Sequence, residues 1–90
     1  AAVTHIVITH GTDTMTDTAR ALADVPGKVV VLVGALAPAR FGESDASFNL
    51  GMAFAAVQLC PPGVYIAMSG SVFRADQVRK DRAKGAFVPD

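Results

Sequence analysis

Five consecutive branched apolar residues, Val29-Val30-Val31-Leu32-Val33, stand between Lys28 and Gly34. Successive side chains of a strand point to opposite faces, so a strand with one face in water alternates apolar and polar residues. An unbroken apolar strand needs cover on both faces. That is the condition of parallel sheets, whose crossovers place helices on either side. The neighbouring segments agree. His5 to Thr9 reads as a strand apolar on both faces, and Val64 to Ser69 as a third strand. Between the first two lies a helix from Met15 to about Asp24, with Met15, Ala19 and Leu22 at helical spacing and Pro26-Gly27 as its stop. The order β-α-β-α-β predicts an α/β fold, a three-layer α/β/α sandwich with a mostly parallel sheet.

The second helix, Ala46 to Cys60, is opened by Ser44 or Asp45 and closed by Pro61-Pro62-Gly63. Phe48, Leu50, Met52, Phe54, Val57 and Leu59 run nearly all the way round it. A helix apolar on every side is covered on more than one side. We expect that second cover from a segment outside these residues or from another copy, hence a homo-oligomer. Gly34 to Asp45 reads as a long irregular connection. Gly70-Ser71 turns into Val72-Phe73, Gln77 to Lys80 forms a short returning piece, and the rest is polar until Phe87.

Ninety residues make at most one small domain, residues 1–90. The chain opens directly into a strand, which reads as a domain entered partway. Eight basic and eight acidic side chains cancel, giving no reason to expect nucleic acid or an anionic membrane as partner. The single cysteine, Cys60, excludes an intrachain disulfide and suits a cytoplasmic setting. No apolar run approaches the roughly 20 residues of a membrane span. His5 and His10 fall on opposite faces of a strand and nothing else offers metal-ligand spacing, so neither metal nor cofactor is expected.

Polar groups gather at one point. His10-Gly11-Thr12-Asp13-Thr14 follows directly on Ile6-Val7-Ile8-Thr9 and leads into the first helix. In open α/β sheets ligands bind outside the carboxyl ends of the strands. A helix cap from Asp13 or Thr14 explains one of these side chains. It does not explain all of them.

Thr9-His10-Gly11-Thr12-Asp13-Thr14-Met15 resembles the second signature of the bacterial-type L-asparaginases. The resemblance continues through Val33-Gly34-Ala35-Leu36-Ala37-Pro38 and Ser44-Asp45-Ala46-Ser47-Phe48-Asn49-Leu50, and ends at Val78-Arg79-Lys80. It spans essentially the whole chain. The tail Phe87-Val88-Pro89 is most similar to the short, single-domain members. The resemblance implies a flavodoxin/Rossmann-like three-layer domain, these residues being the C-terminal part of the asparaginase N-terminal domain. It also implies hydrolysis of asparagine to aspartate and ammonia.

Carried over by motif, the resemblance places the catalytic threonine, aspartate and lysine at Thr12, Asp13 and Lys80. A threonine hydroxyl is a weak nucleophile that needs an adjacent base. A lysine serves if burial disfavours its charged form. Asp13 would orient that amine, hold the substrate's α-ammonium, or do both. Gly11 would let the backbone turn and approach the substrate, glycine tolerating positive φ. Amide groups at the helix start would favour a carboxylate or oxyanion. Ala35 would leave room for the substrate.

Other residues read as structural. Asn49 is expected in a hydrogen bond, His10 packed or hydrogen-bonded at the strand end, and Cys60 buried at the helix end. Arg40 pairs with Glu43 or Asp45, or lies near the site.

Family members also carry an earlier Thr-Gly-Gly-Thr motif, whose threonine is given the primary nucleophile role, and a serine-containing loop. Neither occurs in this sequence. The chain is therefore expected to hold the supporting half of a site and to be inactive alone. Two other readings stay open: an asparaginase-like component of a tRNA-dependent amidotransferase, and a non-catalytic association domain. Nucleotide binding is weaker, as no glycine-rich phosphate loop follows a strand.

Overall fold

A computed structural model of the chain describes residues 4–24, 27–36 and 44–90. Its elements are β1 (His5–Thr9), α1 (Met15–Ala21), β2 (Val29–Val33), α2 (Ala46–Leu59), β3 (Gly63–Met68), β4 (Ser71–Arg74), a 3-10 turn (Ala75–Gln77), β5 (Val78–Asp81) and β6 (Ala86–Pro89). The main sheet has the order β1-β2-β3-β4. Strands β1, β2 and β3 are parallel, with Val31 opposite Val7 and Tyr65, and β4 is antiparallel to β3. This is the mostly parallel α/β sheet expected, closed by one antiparallel edge.

The period of two splits the apolar strands between two cores. Val30 and Leu32 of β2 and Val64, Ile66 and Met68 of β3 meet Met15 and Ala19 of α1, joined by Val78 and Phe87. Val29, Val31, Val33, Tyr65 and Ala67 meet Ala53, Ala56 and Val57 of α2. β2 is buried along its whole length. β1 is apolar on both faces, as expected, but only half-buried, since among the described residues it pairs with β2 alone.

Two expectations change. Helix α1 stops at Ala21 rather than near Asp24. Its last turn tightens, with Leu22 N–H reaching Ala19 O and Ala23 N–H reaching Arg20 O, both at 3.2 Å. Cys60 is half-buried, not buried. It leaves the helix in an extended conformation (φ −78°, ψ 147°), which the following Pro61 favours.

The returning piece is one strand of an antiparallel hairpin, β5 and β6, that closes the core beside α1. Val78 and Phe87 anchor it, and Asp81 Oδ1 accepts the Lys84 N–H at 3.1 Å inside its turn. The returning piece is legible in the sequence. The strand that partners it is too short to show there.

Helix α2 is covered on one side only among the described residues. Phe48, Phe54 and Leu59 on its other side are 66%, 53% and 82% exposed. The connection from β2 to α2, with Arg40 and Glu43, lies largely outside the described residues.

Strands β1 and β2 stay paired beyond their ends, where His10 N–H donates to Val33 O at 2.9 Å. The next residue, Gly34, has no room for a side chain: a Cβ would be driven into the His10 carbonyl oxygen and to 3.0 Å from Met15 Cε. Gly34→Ala should therefore lower stability by about 1–3 kcal/mol. The check is the chemical denaturation midpoint of the full-length protein. An unchanged midpoint would show that the strand ends are not this close.

Candidate active site

The turn from β1 into α1 carries Thr12 and Asp13 at the carboxyl edge of the parallel strands. Neither is used to cap α1, whose N-cap, Thr14, makes no side-chain cap bond. Both side chains instead meet a residue from the far end of the chain. Lys80 Nζ donates to Thr12 Oγ1 at 2.9 Å and to Asp13 Oδ1 at 2.7 Å. The Lys80 side chain is 18% exposed and that of Asp13 69%. The lysine thus lies under the turn while the carboxylate faces out.

Lys80 is delivered by the hairpin. Alternation along β5 sends Val78 and Lys80 to the same face, and Val78 is locked in the core. Arg20 Nη2 of α1 donates to Val78 O at 3.1 Å, and Phe87 N–H donates to Ser69 Oγ at 2.9 Å, tying both strands to their surroundings. The neighbouring cations point elsewhere or to a different task. Arg79 faces Asp81 at 3.8 Å. Arg82 reaches Asp13 Oδ1 at 3.0 Å.

Arg82 is the group that sequence reasoning misses. It stands in a charge run, Arg79-Lys80-Asp81-Arg82, that reads as a solvated surface. Its spacing of two from Lys80 is the available signal.

The hydrogen bond and charge of Lys80, with the charge of Arg82 next, hold the Asp13 carboxyl below its ordinary value of 3.8. Asp13 is thus an anion across the neutral range, available to a cation.

His10 is engaged at both nitrogens. Gly11 O lies 2.6 Å from Nδ1 and can only accept, so Nδ1 donates; in the neutral ring Nε2, 3.0 Å from Thr18 Oγ1, accepts from that hydroxyl. The ring braces the strand end against α1 rather than reaching Thr12.

Gly11 departs from expectation. It does not adopt positive φ, and an added Cβ would meet nothing within 4 Å. Neither turn geometry nor packing among the described residues requires glycine here.

Ala35 follows β2 and lines an apolar cleft of about 270 Å³ with Thr9, His10, Val33, Gly34, Ala46 and Leu50. It touches this cleft rather than the Thr12-Asp13-Lys80 cluster. The Thr12 methyl lies beside Gly34, so the two regions adjoin.

The backbone around Ala35 is pinned by Asn49, buried as its structural role required. Asn49 Nδ2 donates to Gly34 O at 3.0 Å and to Asp45 Oδ2 at 2.9 Å, and lies 3.4 Å from Met68 Sδ. Asp45 Oδ2 also accepts the Leu36 N–H at 3.1 Å. Asp45 occupies the N-cap of α2 without a side-chain cap bond, and Ser44 Oγ accepts the Ala46 N–H at 3.0 Å instead.

No group of three metal-ligating side chains comes together, and no helix is long and apolar enough to cross a membrane, among the described residues.

The fold and cluster define an α/β domain with a threonine, an aspartate and a lysine joined at the sheet's carboxyl edge. Comparison with known proteins gives the family. Residues 1–87 match the model of the asparaginase N-terminal domain, and the chain belongs to that family.

An L-asparaginase of Thermococcus kodakarensis is 37% identical over 83 residues, which are 89% of this chain and 25% of that protein. One component of a glutamyl-tRNA(Gln) amidotransferase from Methanococcus vannielii is 43% identical over 72 residues, 74% of this chain and 16% of that component. The solved structure of the thermostable L-asparaginase from Thermococcus kodakarensis superposes with a TM-score of 0.87 at 34% identity, covering 98% of this chain and 28% of that one. The chain thus spans about a quarter of the length of the asparaginase it matches.

Because the Asp13 carboxyl is lowered from 3.8, it adds stability that is complete above that pH and is lost as pH falls through its folded value. Asp13→Asn should accordingly be less stable than the parent above about pH 4 and converge with it at lower pH. The gap should shrink with added salt, since Asp13 is exposed. Denaturation midpoints against pH check this; a gap that widens on acidification would contradict the pairing.

Proposed function

We propose that the full-length protein hydrolyses the side-chain amide of L-asparagine, water and amide giving L-aspartate and ammonia, and that these residues carry the supporting half of its site. The observation that carries this reading is Lys80 Nζ within hydrogen-bond distance of both Thr12 Oγ1 and Asp13 Oδ1. Membership of the asparaginase family supports it.

In this proposal Lys80, a cation paired with Asp13 at rest, first gives a proton to solvent and then takes the Thr12 proton along the 2.9 Å contact. The relieved hydroxyl oxygen can then draw a proton from the attacking water or attack a carbonyl itself. Asp13 orients the amine through Oδ1 and offers its charge to the substrate's α-ammonium. Gly11, with open space at its Cα, and Ala35, at the neighbouring strand end, border the substrate. The primary nucleophile would come from a Thr-Gly-Gly-Thr segment, which this sequence does not contain. The ninety residues form one part of a domain that this segment completes, and are inactive without it.

The same cluster would serve an ammonia-releasing component of a tRNA-dependent amidotransferase, a reading favoured by the similarity to the Methanococcus vannielii protein. Release of ammonia from asparagine without tRNA or a partner protein separates the two. We also propose self-association of the full-length protein, supported by the exposed Phe48, Phe54 and Leu59, and a cytoplasmic setting, which the single cysteine suits. A monomer by sedimentation would refute the first part.

Thr12→Ala and Lys80→Met should each lower ammonia release from asparagine at least about a hundredfold, the usual weight of a positioned acid or base, with the fold intact by circular dichroism. Unchanged release from Thr12→Ala would remove Thr12 from the site. Normal activity of Lys80→Met would place the lysine elsewhere.

A further inference from the structure

Asp13 is held by two cations, and the functional reading uses only one. Lys80 Nζ at 2.7 Å and Arg82 Nη1 at 3.0 Å converge on the same oxygen, Oδ1. Two cations on one oxygen repel each other. With its two lone pairs Oδ1 can accept both, although one cation on each oxygen would separate them better. Instead the pair occupies one oxygen and leaves Oδ2 without a protein partner among the described residues.

The arginine's placement is built into the hairpin. Val78 buried and Lys80 half-buried fix which face of β5 points to the site, and Arg82 follows one residue past the end of β5, at the start of the turn. The turn is held by the Lys84 N–H on Asp81 Oδ1 and by Gly85 at φ +63°. The Asp13 carboxylate needs such a hold. It is 69% exposed and makes no cap bond to α1, so a single contact would leave it free to rotate.

We propose that Arg82 is a positioning residue. By sharing Oδ1 with Lys80 it locks the Asp13 carboxylate so that Oδ2 faces the α-ammonium of an α-amino acid amide. This rests on the reading of Asp13 given above. Arg82 itself touches no reacting atom. Its effect passes through binding of the ammonium, which the substrate keeps unchanged through the reaction. Loss of such uniform binding raises KM more than it lowers kcat.

A substrate pair isolates this effect. Asparagine and succinamate share the amide and the carboxylate, and succinamate has hydrogen where asparagine has its α-ammonium. In the full-length protein, Arg82→Gln should raise KM for asparagine about tenfold, a good part of one hydrogen bond to a charged group. Its loss with succinamate should be markedly smaller, since Oδ1 keeps its contact with Lys80. Arg82→Lys, which keeps a cation in reach, should recover most of the asparagine KM.

Exposed ion pairs contribute little to stability, so neither variant should unfold the protein, and thermal melting checks this. Equal losses on both substrates, or no change on either, would overturn the role of Arg82 while Thr12→Ala still reports on the site. A parent protein that releases no ammonia from asparagine would overturn the functional reading, and this proposal with it.

Discussion

Strand β2 is the constraint from which the rest of the molecule follows. It is hydrogen-bonded to parallel neighbours along both edges and buried on both faces, with no polar side chain in Val29–Val33. Such a strand is stable only inside three layers. Helix α2 supplies one cover. Helix α1 supplies part of the other, and with seven residues it is too short to supply all of it. The β5–β6 hairpin fills the remainder through Val78 and Phe87. Covering the sheet and building the site are therefore one act, because the strand that buries Val78 also carries Lys80.

The electrostatics follow from that placement. A lysine brought under the β1–α1 turn would be costly to bury alone, since desolvation disfavours a charge without a partner. Thr12 and Asp13 supply the partners, and the more exposed of them takes a second cation from Arg82. On the opposite side of the same edge, Asn49 is satisfied by Gly34 O and Asp45, which fixes the backbone on either side of Ala35. One strand end is thus held by ionic contacts and the next by a buried amide.

Much of this is legible in the amino-acid sequence for physical reasons. The unbroken Val29–Val33 run demands two covers, and the helical spacing of Met15 and Ala19 provides one of them. Surplus polar residues after β1 mark the candidate site. What stays hidden depends on contacts between distant segments. Four-residue strands carry too little periodicity to announce a hairpin, so β6 does not show. Gly11 invites a conformational argument that its backbone does not bear out, whereas Gly34, within a motif noted only for its resemblance, has a backbone oxygen pressed against it.

The layers, the direction of the three main strands and the point where polar chemistry collects are all written in the amino-acid order. These are local properties, set by the period of apolar residues and by where it breaks. Which side chains share that point depends on how distant segments pack in the folded chain. Thr12 and Lys80 are 68 positions apart, and their 2.9 Å contact exists because a buried valine and phenylalanine hold a hairpin against α1. No local pattern encodes that distance. Arg82 shows the same limit: in the sequence it is one more charge in a run, and in the fold it is a second hand on the carboxylate of Asp13.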